Sequence, residues 1–373
     1  MVLADPDFLI LEALHRHGPL SRQQLHTRTG LRPNTVGDAA GRLLGLGVLS
    51  EGVPQAVGPG RPRVPLRIDD GRRWVVGLAL TPGRVTGCRV SLTGRRVGRL
   101  LDRAVPRGVS VTEEAAALLP RLVGPEAVGV GVTTTGLLDA ESRTILFSSA
   151  VPDRRPLSAA PIYDAAGDLP LRFDNDMRAL AAQWQLTHPG DAPEDLLLVL
   201  LRDGAIGASL LIAGRPNRGC VVGGNELGQT HLPVDGGPRR LEDLFSSTHL
   251  AWLDPSYAAR HGDDLDRRAA AADPDDDALW RVTDLLGLGL ANAVNLVRPH
   301  RLVLVGELTR HTRFLHRLAD AVRQTTLGPV AERMRIDTWD AAVPPPAESA
   351  AWLALDHLFR RDGSARVREA ASG

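Results

Sequence analysis

The chain of 373 residues contains no lysine, so every fixed side-chain cation among its 44 Lys plus Arg positions is an arginine. Cysteine is nearly absent too. Cys88 and Cys220 alone cannot build a disulfide framework or a four-thiolate zinc site, which makes a reduced, cytoplasmic protein the expectation. Both thiols are expected to be inert and buried. The opening MVLADPDFLILEALHRHG places acids where a secretory leader needs positive charge, and its apolar run is short. No segment approaches the roughly 20 consecutive apolar residues of a membrane span. These absences point to a soluble protein without membrane contact.

What is present is unevenly placed. Acids and bases balance overall at 44 each. Between Arg16 and Arg67, however, eight arginines face only Asp38 and Glu51, whereas Asp263 to Asp284 holds eight aspartates against three arginines. A basic footprint inside a neutral chain marks a nucleic-acid module joined to something else. The acidic run Ala272 to Trp280 reads as a solvated loop and helix start.

Phe8, Ile10, Leu11 and Leu14 recur at helical spacing between Asp7 and His17, and Gly18-Pro19 stops that helix. Ser21 followed three residues on by Gln24 is a capping box opening a short second helix that Gly30 ends. Pro33 starts a third, with Val36, Ala40 and Leu43 on one side and Arg32, Asn34, Thr35, Asp38 and Arg42 on the other. This order is the helix-turn-helix, whose last helix enters the major groove by its N-terminal residues. Asn34 and Thr35 are expected to read base edges; Arg32 and Arg42 are expected at the DNA as well, Arg42 on a phosphate. Gly37 and Gly41 each cost this helix about 1 kcal/mol against Ala.

Two short strands follow, Gly47 to Ser50 and Val64 to Ile68, with GPGRP at their tip. That hairpin is the wing of a winged helix. Arg61 and Arg63 would thread a narrow, electronegative minor groove. The remainder reads as α/β: a three-strand meander over Trp74 to Val105, a helix from Thr112 to Leu122, a strand from Ala127 to Val132, a second meander over Leu196 to Ala213, then a long helix Asp277 to Val297 feeding a strand Arg301 to Val305. Two halves of similar order predict a duplicated, two-lobed architecture with a cleft.

The stretches GPGRPRVPLRI, VGVGVTTTGLLD, DND at Asp174 to Asp176, VVGGNELG and LGLGLANAVNLVRPHRLVLVGE, in this order, resemble the ROK family of repressors and sugar kinases. The resemblance implies an actin-like or hexokinase-like (ribonuclease H-like, duplicated) fold behind the winged helix. Its implied boundaries are 1–72 for the DNA-binding domain, 73–185 for the first lobe with helix 346–362 packing back, and 186–345 for the second lobe. It also implies a sugar or sugar-phosphate effector held by Asn175, Asp176, Glu226 and Glu242. Such groups suit the job because each sugar hydroxyl donates in a fixed direction. A helix N-cap is the competing role for Asp176.

The chain departs from that family at several places. Ala79 to Arg84 stands where the kinases carry Asp-x-Gly-Gly-Thr-Lys, and Asp203 falls within the second phosphate loop, Arg202 to Gly207, where it would repel phosphate oxygens. Gln229 replaces a zinc-binding histidine, Asp235 to Arg240 replaces the cysteine motif, and Thr135 stands for a proline. No zinc site is expected. His231 is the nearby substitute for a sugar contact. The reading is a non-enzymatic, DNA-binding regulator, a repressor working as a homodimer or homotetramer on double-stranded operator DNA. A sugar kinase with a DNA-binding head and a regulator without a small-molecule effector are the rival readings.

Overall fold

A computed structural model describes residues 3–54, 63–139, 141–151, 155–188, 194–217, 219, 222–234, 236–339 and 344–360. They group into two units, Met1–Pro189 with Pro345–Gly373, and Gly190–Pro344.

The first unit opens with α1 (Asp5–His17), two residues earlier than its apolar spacing predicts. The cause is local: Pro6 is tolerated in a first turn, and the Asp7 carboxylate accepts the Ala4 amide at 2.8 Å. Then come β1 (Leu20–Ser21), α2 (Arg22–Thr29), α3 (Pro33–Gly45), β2 (Leu49–Glu51) and β3 (Pro65–Ile68). The Ser21–Gln24 capping box forms in both directions, and Gly30 closes α2 in the left-handed region. Ile10, Leu11, Leu14, Leu25, Val36, Ala39, Ala40 and Leu43 bury one face of each helix. β3 lies between β1 and β2, with Leu20 opposite Leu66 and Leu49 opposite Ile68. Two residues are too few to show alternation, so β1 is invisible in the sequence. The tip of the hairpin, residues 55–62, lies outside the described residues.

The same unit continues through β4 (Trp74–Thr81), β5 (Arg84–Ser91), β6 (Arg96–Ala104), α4 (Val111–Leu118), β7 (Ala127–Thr134), β8 (Leu137–Asp139), β9 (Thr144–Phe147), β10 (Leu157–Ser158), α5 (Ala160–Ala166), β11 (Leu171–Asn175) and α6 (Asp176–Thr187). The large sheet runs β11-β7-β4-β5-β6, antiparallel in the predicted meander and parallel where β7 joins β4 and β11. A closing helix, Pro346–Phe359, returns to this unit and packs on the sheet. Gly77 and Gly131, paired across β4 and β7, make this possible: a Cβ on either would lie 1.9 Å from the Ala347 carbonyl or 1.8 Å from that of Ala350. The helix answers with Ala347, Ala350 and Ala351, all fully buried.

The second unit holds β12 (Leu196–Arg202), β13 (Ala205–Ile212), β14 (Arg215–Pro216), β15 (Val222–Gly223), β16 (His231–Val234), β17 (Gly237–Arg240), α7 (Leu241–Leu244), α8 (Ser247–Leu253), α9 (Pro255–His261), α10 (Leu265–Ala271), α11 (Asp277–Val297), β18 (Arg301–Val305), α12 (Thr312–Thr325), α13 (Gly328–Ala331) and β19 (Arg335–Trp339). Its sheet runs β14-β13-β12-β18-β19. α11 spans the predicted residues and buries Leu279, Val282, Leu286, Leu290 and Val294 in one core with Phe245, Phe314, Leu302 and Leu304. The acidic run before it is not simply solvated. Asp276 caps α11 and pairs with Arg268, both about 1% exposed, because a buried carboxylate needs a buried cation. Among the described residues no helix is long and apolar enough to cross a membrane.

Candidate DNA interface and effector site

Arg32 is the N-cap residue of α3, and Pro33 occupies its first turn. The helix therefore starts with exposed Arg32 and Asn34 and half-buried Thr35 pointing away from the core that Val36, Ala39, Ala40 and Leu43 fill. Arg42 shares the outer side but is engaged: its Nη2 donates to Asp7 Oδ1 at 2.8 Å, and that carboxylate is only 2% exposed. The pair pins α1 to α3. Arg63 is exposed beside β3, and Arg61 lies outside the described residues. Three further arginines of the basic footprint, Arg22, Arg28 and Arg67, are engaged as well. Arg22 pairs with Glu51 at 3.1 Å, Arg67 donates to Ser50 Oγ at 3.2 Å, and Arg28 approaches His17 at 3.3 Å.

In the first unit the candidate effector residues sit where β11 passes into α6. The N-cap is Asn175 rather than Asp176: its Oδ1 accepts the Met177 amide at 2.8 Å, and its Nδ2 donates to the Gly136 carbonyl at 2.9 Å. Asn175 is 2% exposed; Asp176, the first helical residue, is half-buried. Gly136 turns here with φ +83°, and a Cβ on it would meet the Phe147 carbonyl at 2.1 Å, so no other residue fits. Beside that turn four hydroxyls converge. Thr134 Oγ1 lies 2.8 Å from Ser148 Oγ, and Thr135 Oγ1 lies 3.1 Å from Ser148 Oγ and 2.8 Å from Ser149 Oγ. Thr135 gains a hydroxyl where the family's proline would offer none. Ser148 and Ser149 had no signal in the sequence, because β9 alone brings them there.

In the second unit exposed Glu226 precedes a short turn that ends at Gln229. Gln229 Nε2 donates to Glu242 Oε1 at 2.6 Å, and Arg240 reaches Gln229 Oε1 and Glu242 Oε1, each at 3.3 Å. Arg240 also holds Asp243 through two bonds of 2.8 Å. Exposed His231 stands opposite Arg240 in the β16–β17 register. A zinc ion does not fit this arrangement: Gln229 offers an amide in place of a nitrogen or thiolate ligand, and the Glu242 and Asp243 carboxylates are already held by Arg240, whose charge would oppose a cation. Among the described residues no three His, Cys, Asp or Glu side chains gather as a metal site.

The two stretches compared with phosphate loops are also in place. β4 and β5 meet in a tight hairpin over Pro82-Gly83, and Arg84 is held by Asp102 at 2.6 Å. Asp203 accepts the Ser247 amide at 2.7 Å and its hydroxyl at 2.5 Å, so a carboxylate already fills the start of α8. Cys88 is fully buried, and burial pushes its thiol up to about 12. Cys220 lies outside the described residues.

A protein-family model described as "ROK family" matches residues 120–356. Among curated proteins, the uncharacterized protein y4fQ of Sinorhizobium fredii is 24% identical over 271 residues, covering 70% of this chain and 68% of its own. N-acetyl-D-glucosamine kinase of Citrobacter koseri is 29% identical over 246 residues, covering 57% of this chain and 74% of its own. Among solved structures, a ROK family transcriptional regulator, homolog of the E. coli MLC protein, superposes with TM-score 0.74 at 20% identity, covering 95% of this chain and 98% of that one. A ROK family glucokinase from Streptomyces griseus in complex with glucose and AMPPNP gives TM-score 0.59 at 19% identity over 75% of this chain and 99% of that one. The fold is therefore the mixed α/β, actin-like fold shared by regulators and hexokinase-like kinases.

Proposed function

The chain belongs to the ROK family, and on that premise we propose that it is a sequence-specific DNA-binding transcription regulator, a repressor whose kinase-like units sense a sugar or sugar phosphate. The observation that carries this reading is the head. Its recognition helix opens with exposed Arg32 and Asn34, and its surface surplus is made of arginine. Asn offers bidentate bonds to adenine, and arginine near the backbone releases counterions from phosphates. A homodimer or homotetramer would set two such heads on a palindromic site. Asn175, Asp176, Glu226, Gln229, His231 and Glu242 are the proposed effector contacts, supported on the first unit by the adjoining Thr135 and Ser149 hydroxyls.

Catalysis is not part of the proposal. Phosphoryl transfer needs open backbone cradles and a metal-holding carboxylate. Here Asp203 occupies the Ser247 amide, and the β4–β5 turn carries a proline and no acid. The likeness to N-acetyl-D-glucosamine kinase favours the second reading, a sugar kinase with a DNA-binding head.

The test uses duplexes selected from random DNA by the full chain. Asn34→Ala should cost about 1–3 kcal/mol at one base position and relax specificity there, while Arg63→Ala should weaken binding most on duplexes with a narrow, A·T-rich minor groove beside the site and flatten the salt dependence by about one unit. Salt-insensitive, unselective binding would overturn the regulator reading. Turnover of ATP with glucose or N-acetylglucosamine in a coupled assay would establish the kinase instead. Thermal shift against hexoses and hexose phosphates separates a sensor from an effector-independent regulator, since ligand at 100 times Kd adds about 2.7 kcal/mol to the native state.

A further inference from the structure

One contact within the first unit joins the DNA-binding head to the helix that carries Asn175 and Asp176. α6 is about 18 Å long at 1.5 Å per residue, and it is buried from Met177 to Trp184 and again at Leu186. Its last carbonyls have no partner inside the helix. That of Leu186 finds one in the head: it accepts a hydrogen bond from Nε2 of His15, on α1, at 2.8 Å. The same imidazole stacks on Phe359 of the closing helix, with centroids 4.7 Å apart and planes 20° from parallel. The closing helix is in turn fastened to α6, through Ser349 Oγ donating to Gln183 Oε1 at 2.9 Å, while Arg360 just beyond it donates to Gln185 Oε1 at 3.0 Å. On its other side α1 grips α3 through the buried Asp7 carboxylate and Arg42.

We propose that His15 is a positioning residue that links α6 to the recognition helix, so that a displacement of α6 set at Asn175 and Asp176 is delivered through α1 to α3. It touches neither duplex nor effector, and its role rests on the regulator reading above. A rigid, buried helix with a ligand-facing start and a head-facing end is a physical route for coupling, because packed elements shift as bodies rather than deform.

Hydrogen exchange on the full chain tests the link without knowledge of the effector. His15→Phe keeps an aromatic ring against Phe359 and removes the donor; His15→Leu is the second variant should the first not fold; His15→Gln keeps a donor. Loss of the donor should speed exchange across residues 5–45 about tenfold while residues 196–305 stay unchanged, and Gln should restore most of the protection. The decisive arm is a double-mutant cycle. Asn175→Ala, which uncaps α6, should speed exchange in α1 when His15 is present and add nothing when it is Phe or Leu. On a duplex selected by the wild-type chain, Asn175→Ala should change affinity only in the His15 background. Additive effects in both backgrounds, or no effect of Asn175→Ala on α1, would overturn the link. A chain that selects no duplex removes the regulator reading, yet the exchange cycle still decides whether His15 couples the two helices.

Discussion

Three glycines, Gly37, Gly41 and Gly45, recur every four residues on the outer side of α3, and a Cβ built on any of them meets nothing within 4 Å. The free head therefore has no steric use for Gly37 or Gly41 in the helix interior, where each costs about 1 kcal/mol against Ala in backbone entropy and lost propensity. Replacing both with Ala should stabilise the helix by about 2 kcal/mol, since the positions are one turn apart and the new methyls face solvent. For a cooperative unit of 150–250 residues, roughly 2–4 °C per kcal/mol predicts a rise of about 4–8 °C in the melting of the first unit. Differential scanning calorimetry of Gly37→Ala, Gly41→Ala and the double variant reads this directly. Selected-duplex affinity, measured on the same samples, should fall, because the added methyls stand between the helix backbone and a closely approaching groove. An unchanged or lowered melting temperature would refute the reasoning, since it would mean that the glycines serve the free fold.

Gly131→Ala acts in the opposite sense: its methyl would lie 1.8 Å from the Ala350 carbonyl, so overpacking should cost about 1–3 kcal/mol or more, visible as a lower urea midpoint. Cys88 should stay unreactive to a thiol-specific disulfide reagent in the native protein at neutral pH and react only on unfolding, because burial holds its thiol near 12. Burial is the main cause holding His15 below its ordinary 6.5, reinforced by Arg360 and Arg16 and opposed by the Leu186 carbonyl and Glu12. The native state thus binds fewer protons there than the unfolded state. Stability from this site is fully present above pH 6.5 and is lost progressively as the pH falls from there through the lower native value, and His15→Phe should flatten the pH dependence of melting below pH 7.

The head was legible because its signals are local. A capping box, a left-handed glycine and apolar spacing each act within one or two turns, so α2, α3 and the hairpin strands could be placed from residues alone. The long helix Asp277–Val297 and strand Arg301–Val305 were legible for the same reason. β1 was not, since it exists only through Leu66 and Pro65, more than forty positions along the chain. Nor were the β16–β17 hairpin, whose strands are too short to carry a clear apolar alternation, or the Ser148–Ser149 hydroxyls, which meet Thr134 and Thr135 only once the chain has turned back through β8 and β9. Asp276 shows the difference in one residue: composition makes it solvent-facing, and only the packing of α10 against α11 buries it on Arg268.

By itself the sequence determined that a basic winged helix precedes a duplicated α/β body, because periodicity, capping and charge are properties of short stretches. Only the tertiary structure decided that Asn175 reaches the Gly136 carbonyl, that Arg240 and Gln229 hold Glu242, and that His15 meets Leu186. Those contacts join residues separated by up to 171 positions, and no local pattern encodes which distant groups a folded chain brings within hydrogen-bond reach.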